Sequence, residues 1–247
     1  MKPIKLIEVK NFVEEHITEF HDARLQSLEK TSLKELLKRK NPYLYRAKNL
    51  VTAGELVSSI LDAKLSSSEE ELFGEFLEHL AIFVAQKTRN AAKSSAPGID
   101  FEYQDGRTRY LVSVKSGLNW GNSSQWNALE DSFKTAMKRI KQNRGVSDVQ
   151  CILGVSYGNQ KTMVKKGFIV QICGQNFWYM VSGSKDFYIQ IVEPLGHRAK
   201  ELNDSFKQRK ARLVNKFTGE FISDFCDRDG TILWNKVIEF NSGNLRL

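Results

Sequence analysis

Cysteine is scarce in this chain: three among 247 residues. Cys151, Cys173 and Cys226 are odd in number and far apart, which excludes a disulfide framework and a zinc ribbon. Cys151 and Cys173 lie in apolar runs and are expected to be buried thiols of a protein in a reducing, cytoplasmic setting. The four histidines, His16, His21, His79 and His197, also lack zinc-ligand spacing, so each is expected on a helix surface or in packing. Proline is rare, four in all, and no low-complexity tract or internal repeat is present, which argues against a disordered or repeat protein. No apolar run approaches the length of a membrane span, and no signal-peptide pattern opens the sequence. Acid is in deficit: 29 Asp and Glu stand against 37 Lys and Arg, a net charge of +8. Such a surplus favours a polyanionic partner, and without a membrane segment it points to nucleic acid rather than lipid.

What is present is a globular composition, 41% hydrophobic, long enough for one large domain or a core domain with a helical extension. Apolar residues at three- and four-residue intervals predict helix over residues 4–40, ended by Asn41-Pro42. A second helical region is expected over 43–65. Ser66-Ser67-Ser68 followed by Glu69-Glu70-Glu71 reads as a fresh helix start running to about Lys87, because acidic side chains are favoured in a first turn. These signals divide the chain into a helical N-terminal region, 1–65, suited to dimerisation or DNA contact, and a core with C-terminal helices, 66–247. Val149–Tyr157 is a nearly continuous apolar run and reads as a buried central strand. A further strand is expected from Gly167 to Ile172, a short helix over Gly174–Val181, strand or helix over Phe187–Glu193, and helices over 197–217 and 232–240. Lys34, Lys38, Arg39 and Lys40, and the later helical lysines and arginines up to Arg144 and Arg212, form either solvated faces or phosphate-tracking ones.

One stretch organises the rest. Gly98–Tyr103, a Gln104-Asp105-Gly106-Arg107 turn, and Thr108–Lys115 read as a β-hairpin. Folding about the turn places Asp100 and Lys115 at one end of the sheet, give or take a bulge. A carboxylate holding a divalent cation beside an ammonium suits phosphodiester hydrolysis: the cation activates water and polarises the phosphoryl group, and the ammonium orients water or neutralises charge. On spacing alone, a surface hairpin with an ordinary Asp and Lys explains the pattern more readily.

Beyond Lys115 the sequence says more. Pro97-Gly98-Ile99-Asp100 followed by Ser113-Val114-Lys115 resembles the PD-(D/E)XK nuclease signature in its variant with serine at the second acidic position. The run from Val114 to Gln125 resembles type II restriction endonucleases of the PmeII kind, related to enzymes that cut interrupted GG–CC palindromes. So do Asn41–Asn49, Cys173–Trp178, Glu193–Gly196 and Asn215–Thr218. The resemblance spans roughly residue 40 to the end. It implies an α/β restriction-endonuclease-like core, a mixed central sheet flanked by helices, with helical additions at both ends. It also implies Mg²⁺-dependent double-strand cleavage of palindromic DNA, 5′-phosphate and 3′-hydroxyl ends, and a homodimer with one site per strand. Asp100, Glu78 and the Val114 carbonyl would hold the metal, Lys115 would position water, and Ser113 would line the site.

Ser113 is a departure, since one carboxylate is a poor ligand set for a hard cation. By resemblance the missing acid is Glu78, on the helix before the hairpin, or Glu130, on the helix after it. Glu102, with the strand parity of Asp100, is a third candidate. Around the site, Lys93, Ser94 and Ser95 suit phosphate contact, and Asn119, Trp120, Asn122, Ser123 and Gln125 suit base contact, Ser123 also capping the following helix. Two rival expectations remain: a structure-specific or repair nuclease of the same fold, and a non-catalytic DNA-binding module in which Ser113 marks a lost metal site.

Overall fold

The computed structural model describes residues 1–141 and 148–244. Along them run α1 (Leu6–Glu29), α2 (Leu33–Arg39), α3 (Pro42–Ala47), α4 (Ala53–Arg89), β1 (Ala92–Lys93), β2 (Phe101–Asp105), β3 (Thr108–Lys115) and α5 (Ser123–Ile140). There follow β4 (Asp148–Val155), β5 (Met163–Lys165), β6 (Ile169–Cys173), α6 (Gln175–Ser182), α7 (Phe187–Gln190), α8 (Val192–Leu195), α9 (Ala199–Phe225) and α10 (Trp234–Ser242). Contacts divide the chain into two units, Met1–Ile17 with Phe73–His197, and Thr18–Leu72 with Arg198–Leu247. The expected division at residue 65 follows sequence order; these units do not, because the C-terminal helices pack with residues from the N-terminal half.

The first unit holds a six-stranded mixed sheet in the order β1-β2-β3-β4-β6-β5. Strands β3, β4 and β6 are parallel, and antiparallel β1, β2 and β5 close the two sides. With its flanking helices this is the restriction-endonuclease-like α/β architecture expected from the sequence. Strand β4 is buried from Cys151 to Val155 because neighbours cover both its edges and both its faces. On one face Leu111, Cys151, Leu153, Val155 and Ile169 pack against Leu129, Phe133 and Ala136 of α5. On the other, Phe177 of α6 lies so close to Gly154 that any Cβ there would collide with its ring. The C-terminal end of α4 is tied to α6 by Thr88 Oγ1, which donates to the Val181 carbonyl, and by Arg89, which donates to that of Met180.

In the second unit, Phe206, Phe217, Phe221 and Phe225 of α9 form a core with leucines of α2 and α4, Tyr45 of α3 and Val237 of α10. Trp234 packs partly buried against it. The basic run of α2 is engaged within this unit: Lys34 pairs with Asp224 at 3.5 Å, Lys40 donates to the Ala63 carbonyl, and Lys38 lies over the Phe240 ring. On α9, Arg209 and Lys210 pair with Glu29 and Asp62.

Several element boundaries differ from the expectation. Ser66–Ser68 start no helix; they lie inside α4, where Ser67 and Ser68 donate to the carbonyls of Ala63 and Leu65. Serine hydroxyls that bond back onto the helix relieve the need for a cap, so the helix continues. Residues 187–195 form two short helical turns, α7 and α8, and α9 runs on to Phe225. Lys93 lies in β1, which adds a sixth strand by pairing Lys93 with Phe101. The helix begun at Ser123 ends at Ile140, and Arg144 lies outside the described residues.

Candidate functional site

The hairpin register fixes the geometry. Asp105 pairs with Thr108 across a two-residue loop in which Gly106 has φ +59°, the left-handed conformation such a loop demands. Counting back, Phe101 pairs with Val112, and the Asp100 N–H donates to the Val112 carbonyl at 2.9 Å. Asp100 therefore lies just past the paired residues, beside Val112 and Ser113, and Lys115 follows two residues on from Ser113, on the same face of β3. The Asp100 N–H bond is one residue out of step with the ladder, so Asp100 and Phe101 together face Val112, as at a β-bulge. The Asp100 carboxylate turns inward at the end of the ladder, accepting the Val114 N–H at 2.5 Å and the Ser113 hydroxyl at 3.4 Å. In an antiparallel ladder the N–H and C=O of one residue leave the strand on the same side, so the Val114 carbonyl shares that edge.

Glu78 reaches this edge from α4. That helix approaches closely because residue 74 is glycine: a Cβ there would sit 3.3 Å from Ser116 Cβ, in the loop directly after Lys115. Burial pushes the Glu78 carboxyl above its ordinary range, and the nearby Asp100 charge adds to the rise, while Lys115 and Lys93 oppose it. Asp100 is likewise raised by burial, against the Val114 N–H, Lys115, Ser113 and Lys93. Two partly buried acids, each discouraged from ionising, with two lysines in electrostatic reach, form a site that gains from an added cation.

The donor set decides which cation fits. Among the described residues no group of three or more His, Cys, Asp or Glu side chains could hold a metal. Among the described residues, that leaves no cluster of the kind a structural zinc site uses. Mg²⁺ is commonly bound by one or two carboxylates, its other positions filled by water and substrate phosphate. Asp100 and Glu78, with the Val114 carbonyl on the same edge, fit that pattern.

The rival acids are engaged elsewhere. Glu130 is paired with Lys134 at 2.6 Å and Lys166 at 3.2 Å, and these lysines hold its carboxyl below its ordinary range. Glu102 shares the parity of Asp100 but pairs with Arg109 at 3.3 Å.

The expected DNA contacts divide. Lys93 is exposed on β1 and faces both carboxylates electrostatically. Ser94 is half-buried, its N–H donating to the Asp100 carbonyl at 3.2 Å and its hydroxyl accepting from Ala96. Ser95, Asn119 and Ser123 are exposed. Asn122, rather than Ser123, caps α5: its side chain accepts the Gln125 N–H, and the Gln125 side chain accepts the Asn122 N–H, a reciprocal capping box. Both side-chain oxygens are thus engaged by the backbone. Trp120 is no free wedge; its ring packs 4.8 Å from Trp126 on the core under α5, with the Lys115 ammonium 5.8 Å above it.

Sequence reading missed the neighbouring cleft. It has a volume of about 630 Å³ and is lined by Ser156, Asn159, Gln160, Gln175 and Asn176, with apolar side chains such as Leu77 and Val192 opposite. Its polar residues follow immediately on β4 and β6. That position, at the carboxyl ends of buried parallel strands, was the available signal. Lys93 was expected near the site as a phosphate contact; its pairing in β1, which holds it beside both acids, was not.

A family model described as "Type II restriction endonuclease EcoO109I" matches residues 7–203, most of the chain and all of the site above. No curated protein matches the sequence. Among the described residues, no helix is long and apolar enough to cross a membrane.

Proposed function

We propose, for a chain that belongs to the EcoO109I family of type II restriction endonucleases, that the edge formed by Asp100, Glu78 and Lys115 makes Mg²⁺-dependent double-strand cuts at a palindromic DNA site. The observation that supports this most directly is that Glu78, an acid from a separate helix packed close to the loop after Lys115, lies within the electrostatic reach of both Asp100 and Lys115. It supplies the carboxylate that Ser113 cannot.

Asp100 and Glu78 would hold the Mg²⁺, with the Val114 carbonyl; when bound, the ion supplies Lewis acidity to the scissile phosphate and acidity to water. Val114 N–H and the Ser113 hydroxyl hold the Asp100 carboxylate in one orientation, so the ligand is placed before substrate arrives. Trp120 confines the Lys115 ammonium above its ring. From there the ammonium orients the attacking water and offsets the charge that develops on the phosphoryl oxygens. Lys93 adds a second positive charge on the strand neighbouring Asp100, suited to the incoming phosphate. Water attack on phosphorus with departure of the 3′ oxygen leaves 5′-phosphate and 3′-hydroxyl ends.

A palindrome presents the same bond once on each strand, so two copies of this chain related by a two-fold axis would each cut one strand, in a cytoplasmic setting that the scarce, unpaired cysteines suit. The sequence resemblance favours an interrupted GG–CC palindrome as the target. Digestion of long DNA with and without Mg²⁺ tests the proposal. Sharp, reproducible bands are expected from the wild type, with 5′-phosphate ends, and none from Asp100→Ala, which still binds DNA. Full cleavage by Asp100→Ala, or a smear without discrete bands, overturns it.

A further inference from the structure

Strands β3, β4 and β6 lie side by side and parallel, so their carboxyl ends share one edge of the sheet. The first carries Lys115. The loops that follow the other two are locked to it: Ser156 and Tyr157 donate their N–H groups to the carbonyls of Lys115 and Ser116. A Cβ at Gly117 would strike the Tyr157 hydroxyl, and one at Gly174 would sit 2.5 Å from the Gly158 carbonyl oxygen. Neighbouring strands are about 4.8 Å apart, which puts the end of β6 about 10 Å from that of β3. That is close to the width of a DNA major groove, about 12 Å. A duplex whose scissile phosphate sits at Lys115 thus brings its adjacent base edges over the 630 Å³ cleft at the ends of β4 and β6.

Among the described residues, two amides lining that cleft are each held through one end. Gln160 Oε1 accepts at 3.1 Å from Nε2 of Gln171, a residue buried in β6, so Gln160 presents its NH₂ group outward. Gln175 is held the opposite way: its Nε2 donates to the Lys185 carbonyl at 2.9 Å, leaving its carbonyl oxygen to accept. One wall therefore offers a fixed donor and another a fixed acceptor. A side-chain amide at a surface is otherwise free to rotate and offer either end.

Resting on the nuclease reading of the Lys115 edge, we propose that Gln160 and Gln175 are specificity-determining residues. Together they read a major-groove edge that sets an acceptor beside an exocyclic amine, Gln160 donating to the acceptor and Gln175 accepting from the amine. Both classes of Watson–Crick pair carry such neighbours, but in different places, so the preference belongs to one base-pair position in each half of the site.

The test is a binding selection from a randomised duplex library in Ca²⁺, which separates recognition from cutting, with the bound fraction sequenced. Wild type should enrich a palindromic motif. Gln160→Ala and Gln175→Ala should each lose preference at one base-pair position per half-site, by roughly 5- to 150-fold, the range of one good base contact. Gln160→Glu replaces the outward donor with an acceptor, so it should shift preference at its position toward a base that offers an amine. A purely structural defect would weaken all positions together and produce no such shift. Variants that keep the wild-type motif at every position, or lose it uniformly, overturn the proposal while the nuclease reading stands. A wild type that selects no motif overturns both. If the Gln160 variants do not fold, Gln175→Ala decides alone, since its amide contacts only a loop carbonyl.

Discussion

Divalent metal should stabilise this protein through two particular carboxylates, and the effect can be sized. In the metal-free chain, burial raises the carboxyls of Asp100 and Glu78, Asp100 adding to the rise of Glu78. A folded state that holds these protons more tightly than the unfolded chain is favoured by them at low pH. Their contribution is complete below the ordinary carboxylate pKa, near 4, and is lost as pH rises through the raised folded values. At pH 7.5 both acids therefore act against folding until a cation joins them. Mg²⁺ at ten times its dissociation constant stabilises by about 1.4 kcal/mol, and at a hundred times by about 2.7 kcal/mol. For a domain of 150–250 residues each kcal/mol moves Tm by about 2–4 °C, so shifts of about 3–6 °C and about 5–11 °C follow. Calorimetry of EDTA-treated protein with added MgCl₂ measures this. Asp100→Asn and Glu78→Gln should begin at or above the metal-free wild-type Tm at pH 7.5 and show little shift. Glu130→Gln should shift like the wild type, because that acid is occupied by Lys134 and Lys166. A full shift in Glu78→Gln, or its loss in Glu130→Gln, would refute the ligand assignment and transfer the role to the helix after the hairpin.

Two further outcomes follow from the same edge. Lys115→Ala should slow cleavage by about 10²–10³-fold or more while leaving DNA binding in Ca²⁺ measurable, as removal of a group that stabilises developing charge does; single-turnover cleavage of a plasmid reads this, and an unchanged rate would remove Lys115 from the chemistry. Gly117→Ala would press a methyl group into Tyr157 and should cost about 1–3 kcal/mol in urea unfolding, with a loss of cleavage as the Lys115 loop shifts; unchanged stability and rate would show that this close approach is not required.

The hairpin was legible because its causes are local. A two-residue turn with glycine in the left-handed conformation sets the register, and the register brings Asp100 to the strand end that carries Ser113 and Lys115. Strand β4 and helix α5 were legible for the same reason: a continuous apolar run, and a capping signal with helical periodicity behind it. The Asn122-x-x-Gln125 spacing even carried the capping box, but the same side chains suit base contact, and composition does not rank the two uses. Ser66–Ser68 shows the reverse failure. The local start signals were present, yet serines also satisfy themselves within a helix, and burial of Leu61 and Leu65 before them and Leu77 and Leu80 after them carries α4 through.

By itself, the sequence determined that this is a basic α/β protein built on a hairpin bearing Asp100 and Lys115, since alternation, turn chemistry and charge act between near neighbours in the chain. Only the tertiary structure separates the three candidates for a second acid. Glu78, Glu102 and Glu130 are equivalent as residue types, and the choice among them depends on what else lies within a few ångströms. Arg109, Lys134 and Lys166 neutralise two of the three. The third is carried by α4, close-packed at Gly74, into the field of Asp100, where burial and that charge outweigh the opposing lysines, a result of long-range packing that no local pattern encodes.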